Sequence, residues 1–224
     1  FAWVVTDGTI GMENQCAGLA ERIGLPFAVK RIAVGKPWRW LPPLLIPRPL
    51  DALALRGDRL APPWPDLLIA SGRKSVAPAL AIRRAAAGAC FCIQIQNPGV
   101  APGRFDLVIA PRHDGLSGDN VIATTGSLHG LTRAGLDAAA EGLRASVAHL
   151  AAPLVVVLVG GANRAYRFGA DEATALGRRL AALPGSLLVT VSRRTGAEAT
   201  RALGAQLDPA RSLLWDGTGD NPYR

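Results

Sequence analysis

Trp3-Val4-Val5-Thr6-Asp7-Gly8-Thr9-Ile10-Gly11-Met12-Glu13-Asn14-Gln15 is the stretch from which the fold can be read. A short apolar, β-branched run gives way to a glycine turn. Beyond the turn, Cys16, Leu19, Ala20 and Ile23 recur at i, i+3, i+4 and i+7. The pattern predicts a strand over Trp3–Val5 and a helix over about Glu13–Ile23, stopped by Gly24. Gly8 and Gly11 let backbone approach a ligand, and a helix start favours anions. The spacing is not G-x-G-x-x-G, so a dinucleotide fingerprint is absent. A tight turn alone would also account for two glycines, but Asn14 and Gln15 in the first helical turn favour a functional loop.

The same alternation continues outward. Strands are predicted at Phe27–Ile32, Asp66–Ala70, Cys90–Ile95, Asp106–Ala110 and Val121–Ala123. A helix starting near Ser75, with Ser75 as its cap, tolerates Pro78 in its first turn. Thr132 opens a longer helix with a stripe of Leu136, Ala140, Leu143, Val147 and Leu150, ended by Pro153. Leu154–Val159 is continuously apolar, the signature of a central parallel strand. A helix at about Asp171–Leu183, a strand at Leu187–Val191, a helix opened by a Thr195/Glu198 capping box and a strand at Ser212–Trp215 complete the series. The fold class is therefore α/β with two Rossmann-like domains. The first covers 1–130, a linking helix covers 131–152, and a second, incomplete domain covers 153–224, with three strands where such units carry five or six. The chain opens on Phe1 and not on Met, so a short N-terminal piece is expected to be missing.

Composition narrows the function classes. Hydrophobic residues are 49% of the 224, which supports a sizeable core. Formal net charge is +8, almost all of it arginine, so anionic partners fit. Aromatics are 5% and no zinc-finger, RRM-like or basic-helix pattern occurs, so nucleic acid is not the expected partner. Cys16, Cys90 and Cys92 make an odd count without metal-ligand spacing, which argues for a reducing, cytoplasmic setting, no disulfide framework and no metal. No apolar run approaches a membrane span.

Polar loops follow the predicted strands, where open parallel sheets bind ligands. Ser71-Gly72-Arg73-Lys74 suits a phosphate or anionic sugar, with a capped, solvated helix start as the plainer reading. Gln96 and Asn97 follow one strand, and His113-Asp114 follows the next. Asp114 beside His113 has the chemistry of a general base, with ordinary turn chemistry as the plainer reading, and Glu13 is the competing base. In the second half, Gly160, Gly161 and Asn163 follow one strand, and Ser192, Arg193 and Arg194 follow another. Together they form a diphosphate pocket, or else two surface loops of an arginine-rich protein. Trp38-Arg39-Trp40-Leu41-Pro42-Pro43-Leu44-Leu45-Ile46-Pro47-Arg48-Pro49-Leu50 excludes a regular helix or inner strand. Trp38 and Trp40 with arginine would suit an anionic membrane surface, and a loop folded on the domain's own core is the alternative.

Assembled, these residues resemble the bacterial branch of the "elongated mitochondria" mitochondrial-fission family. The matching stretches are Asp7–Gln15, Ser71-Gly72-Arg73, Gln94–Pro98, Pro111–Asp114, Leu158–Asn163, Ser192–Thr195 and Gly219-Asp220-Asn221-Pro222-Tyr223, in order along nearly the whole chain. The resemblance implies a GT-B architecture, two Rossmann-like domains facing across a cleft. It also implies glycosyl transfer from a nucleoside-diphosphate sugar, uridine-linked, without a metal or other cofactor. By the same resemblance the nucleotide sugar is held by Gly160, Gly161, Asn163, Ser192, Arg193, Arg194 and Asn221. The acceptor side is formed by Gly8, Gly11, Asn14, Gln15, Ser71, Gly72, Arg73, Gln96 and Asn97. A membrane-linked acceptor would place the protein at the inner face of the cell membrane. The rival reading is a membrane-associated scaffold or regulator without catalysis. Epimerase chemistry is not expected, because no Tyr-x-x-x-Lys pair accompanies the absent glycine fingerprint.

Overall fold

Each short apolar run becomes a parallel strand, and each amphipathic stretch a helix beside it. The structure is a computed structural model that describes residues 1–163 and 165–219. The chain divides into two compact units, 1–130 and 131–224. Both are Rossmann-like α/β units, one with six parallel strands and one with three.

The first unit is built from β1 (Ala2–Thr6), α1 (Ile10–Ile23), β2 (Phe27–Arg31), β3 (Leu67–Ser71) and α2 (Arg73–Ala85), followed by β4 (Phe91–Ile95), β5 (Leu107–Pro111) and β6 (Val121–Thr124). The strand order is β2-β1-β3-β4-β5-β6, parallel throughout. Strand direction of travel reverses between β1 and β3, so successive right-handed crossovers put α1 on one face and α2 on the other. Alternate residues feed two cores accordingly. Val4, Ile69, Cys16 and Ala20 pack on the α1 side; Val5, Leu68, Val76 and Ile82 pack on the α2 side. Burying each leucine- or isoleucine-sized side chain contributes about 1.5–3 kcal/mol.

Local signals set the helix ends, not always where the sequence pattern suggests. α1 starts at Ile10, three residues before the predicted Glu13, and ends at Gly24, whose φ of 77° lets its N–H reach Ala20 O at 3.1 Å. α2 starts at Arg73 behind Gly72. Ser75 does not cap it: its hydroxyl donates to the Ser71 and Gly72 carbonyls at 2.9 and 2.7 Å. Pro78 consequently lies past the first turn and removes one helical hydrogen bond. Between β2 and β3 the chain makes an excursion with two 3₁₀ turns, Trp38–Trp40 and Pro43–Leu45. Its ends are tied by the antiparallel Val34–Leu53 bridge, flanked by Gly35 N–H to Ala52 O and Ala54 N–H to Ala33 O.

The second unit contains α3 (Arg133–Val147), β7 (Leu154–Val159), α4 (Ala170–Ala181), β8 (Ser186–Val191), α5 (Ala197–Gly204) and β9 (Ser212–Trp215), with strand order β7-β8-β9. Thr132 caps α3 by accepting from Gly135 N–H at 3.1 Å, as expected. None of the α3 stripe is fully buried. Here both crossovers run in one direction, so α4 and α5 share a face. Ala173, Leu180, Ala199 and Leu203 cover Val159, Leu187, Val189 and Val191. The predicted central strand is an edge strand: β8 is central, and Leu154, Val156 and Leu158 of β7 are 40, 56 and 59% exposed. The predicted Thr195/Glu198 capping box is replaced by Gly196 as the N-terminal cap of α5. Among the described residues no helix is long and apolar enough to cross a membrane.

Candidate functional site

In the first unit the reversal between β1 and β3 opens a crevice at their carboxyl ends, the usual ligand position in such sheets. Gly8 turns the chain there with φ 78°, and Gly72 does so with φ 85°. A Cβ on Gly72 would lie 2.5 Å from the Met12 sulfur, so both space and dihedral require glycine. Gly11 has open space around it and is not sterically constrained. The hydroxyl of Ser71, at the end of β3, is buried without a hydrogen-bond partner.

One ion pair spans the crevice and a second lies on the β2 side of β1. Lys74 Nζ reaches Asp7 Oδ2 at 2.9 Å, joining the first turn of α2 to the loop after β1. Burial alone would raise the Asp7 carboxyl. Hydrogen bonds from Thr9 and Lys74, with the Lys74 charge, outweigh it and hold the carboxyl below its ordinary value. Glu13 is gripped by both ends of the Arg31 guanidinium at 2.7 Å, and that bidentate bond lowers its carboxyl too. A carboxylate so engaged is a poor proton acceptor. Asp7, Arg39, Trp40, Arg56 and Lys74, with Ile32, Ala33 and Val34, line a hollow of about 440 Å³. Arg39 and Arg56 have no carboxylate partner among the described residues. Trp40 is 61% exposed and receives Arg39 over its ring, 4.9 Å from the centroid, whereas Trp38 is half-buried.

The other predicted acceptor-side residues are spread along the sheet edge. Asn14 is exposed and Gln15 half-buried on α1. Gln96 follows β4 in the left-handed region, φ 71°, and donates its N–H to Ile109 O at 2.8 Å. Asn97 Oδ1 accepts from Gly99 N–H at 2.9 Å, closing a turn. His113 and Asp114 follow β5, two strand spacings or ~10 Å from β3, so they stand apart from the β1/β3 crevice. His113 Nε2 lies 3.7 Å from Asp114 Oδ1, with the side chains 78 and 27% exposed.

In the second unit two predicted loops meet. Thr195 donates its hydroxyl to Gly160 O at 3.0 Å and accepts from Ser192 N–H at 3.0 Å. Ser192 N–H also donates to Val159 O at 3.1 Å. A Cβ on Gly161 would overlap the Arg194 carbonyl, so only glycine fits at this crossing; around Gly160 there is open space. Asn163 Oδ1 accepts from the N–H groups of Ala165 and Tyr166 at 2.8 and 2.9 Å, which shapes the loop. Arg193 and Arg194 are exposed, without carboxylate partners among the described residues, beside the start of α5. A hollow of about 380 Å³ lies at the loop after β7, lined by Gly160, Gly161, Asn163, Tyr166, Arg167 and Phe168 among others and not by Arg193 or Arg194. Asn221 lies outside the described residues. Among the described residues no three His, Cys, Asp or Glu side chains gather as a metal would require.

The sequence pattern singles out Gly72, Arg73 and Lys74 as an anion loop and Arg39 beside its tryptophans, but gives Asp7, Arg31 and Arg56 no role of their own. Lys74 carried a signal, since two cations in the first turn of a helix oppose its dipole. Arg39 and Arg56 arrive through the excursion, which has no periodicity to read.

Residues 10–224 match the family model described as Mitochondrial fission ELM1. The chain is also similar to "Mitochondrial fission protein ELM1" of Arabidopsis thaliana, 35% identical over 186 residues. That alignment covers 71% of this chain and 44% of the relative, so the chain spans less than half of that protein's length.

Proposed function

This chain belongs to the mitochondrial fission ELM1 family, and on that premise we propose that it is a glycosyltransferase-like protein of GT-B type whose second unit holds the diphosphate of a nucleotide sugar. The observation that carries this reading is the crossing of Gly161 with Arg194-Thr195. It leaves a glycine loop, two guanidinium groups without a carboxylate partner among the described residues and the start of α5 together at the carboxyl ends of β7 and β8. Glycine lets the backbone approach the phosphates, and the helix start and arginines supply positive charge. In transfer, the acceptor oxygen bonds to the sugar's anomeric carbon while the bond from that carbon to the diphosphate oxygen breaks. Negative charge then grows on the diphosphate, where fixed cations stabilise it without a metal. The acceptor's proton goes to a base. Of the two carboxylates considered for that role, Glu13 is already held by Arg31.

Calorimetric titration of uridine-linked nucleotide sugars tests the reading. Arg193→Ala or Arg194→Ala should weaken binding by ~1.5–3 kcal/mol if its guanidinium makes a charge-assisted bond. Unchanged affinity in both variants moves the donor site elsewhere. If no nucleotide sugar binds the unsubstituted chain, a scaffold without catalysis is the better account.

A further inference from the structure

The basic hollow at the β1/β3 crevice is one end of a longer trough. A second hollow, about 130 Å³, shares Arg39 and Lys74 with it and is walled by Trp38, Leu41 and Ile46. A third, about 530 Å³, shares Pro43, Ile46 and Ala77 with the second and ends at Arg84 and Arg104. The floor is one face of α2, where Lys74, Ala77, Leu80 and Arg84 recur at helical spacing over ~15 Å. The roof is the proline-rich excursion. The trough is therefore cationic at both ends, with apolar walls at Trp38, Leu41 and Ile46 between them.

We propose that this trough binds an anionic amphiphile, with a phosphate monoester head among Arg39, Arg56 and Lys74 and a hydrocarbon chain along α2. Three observations converge. Arg39 and Arg56 lack carboxylate partners among the described residues, while Lys74 already offsets Asp7, so the hollow carries net positive charge. α2 begins with Arg73 and Lys74 and has no acidic residue in its first turn, against the preference of the helix dipole. A local rule broken in this way is expected where a ligand supplies the missing charge. The apolar walls at Trp38, Leu41 and Ile46 then give a head-only ligand nothing to fill, whereas a chain would cover them. The inference stands on the first unit alone and holds whether or not the second transfers a sugar.

Decyl phosphate, kept below its micellar concentration, is the probe. Tryptophan fluorescence and calorimetry follow its binding, with inorganic phosphate and decanol as separate arms. Decyl phosphate should bind roughly tenfold or more tightly than either. The Arg39→Gln, Arg56→Gln double variant should lose roughly tenfold or more for decyl phosphate while uridine-linked nucleotide sugars bind as before. Ile46→Asp should weaken decyl phosphate similarly at an unchanged melting temperature, and Leu41→Gln takes its place if Ile46→Asp melts early. Equal affinity for inorganic phosphate would reduce the trough to an anion hollow, and equal affinity for decanol would remove the head site. Either result, or no saturable binding, overturns the proposal.

Discussion

The two sheets obey the same local rule and end differently covered. In the first unit the strand order doubles back at β1, so α1 and α2 take opposite faces and every residue of β1 and β3 is buried. In the second the order runs β7-β8-β9, both helices share one face, and Leu154, Val156 and Leu158 stay exposed on the other. Handedness of the crossover is constant, so the order of strands decides which faces receive helices. The lesson extends to the sites. Doubling back creates the crevice that Asp7 and Lys74 bridge, whereas the one-way sheet makes its site from two loops locked by Gly161 and Thr195.

The sharpest way to break this contrast is to truncate one leucine in each sheet and follow each unit by hydrogen exchange. Leu68→Ala, fully buried, should destabilise the first unit by about 2–5 kcal/mol. Leu158→Ala should cost less than ~0.5 kcal/mol as an exposed site. Equal losses would mean that the second face is covered in solution. Next comes a pair within one loop. Gly161→Ala forces a Cβ into the Arg194 backbone and should cost ~1–3 kcal/mol, seen as faster exchange in 186–196. Gly160→Ala has open space and should change stability by less than ~0.5 kcal/mol; a similar cost at both would show the crossing to be loose.

The smallest effect concerns acid. Asp106 accepts from Arg83 Nε and Nη2 at 2.9 and 2.6 Å and from Cys92 N–H at 2.8 Å, and the Arg83 bond holds its carboxyl below the ordinary 3.8. A depressed carboxyl contributes stability that is complete above its unfolded value and lost as pH falls through its folded value. The first unit should therefore lose about 0.5–1 kcal/mol below pH 3.8, a partly exposed pair being screened. Asp106→Asn should flatten that acid limb in residues 83–110 and leave 154–191 unchanged. An acid limb that persists in the variant would assign it to another carboxylate.

Much of the fold was legible because strand, turn and helix each have a local period. All nine strands of the described residues fall within a residue or two of the apolar runs that predicted them. What escaped depends on distant chain. Leu154–Val159 reads as buried on both faces, and nothing within it tells that helices would cover only one. The start of α2 was misread because Ser75 resembles a cap, whereas its hydroxyl turns back to the Ser71 and Gly72 carbonyls. Thr195 misled in the same way, its hydroxyl being taken by the Gly160 loop. At the sites, Gly8 and Gly72 were readable as turn glycines, while Gly161 is required only by the close approach of the Arg194 carbonyl. The Glu13–Arg31 pair and the convergence of Arg39 and Arg56 were not readable, because each crosses a whole element.

The order β2-β1-β3 also fixes a sequence of events in time. β1 can pair with β2 as soon as residue 31 is made, but its second edge must wait for β3, after the entire excursion 32–66. At ~5–20 residues per second that is about 2–7 s during synthesis. Throughout it, a strand destined to be buried along its whole length has one flank open. Closing so long a loop also places unit one among slow, non-local folders, while the second unit pairs neighbours only. The Val34–Leu53 bridge does not shorten that interval, but by drawing residues 34 and 53 together it shortens the loop that β3 must close.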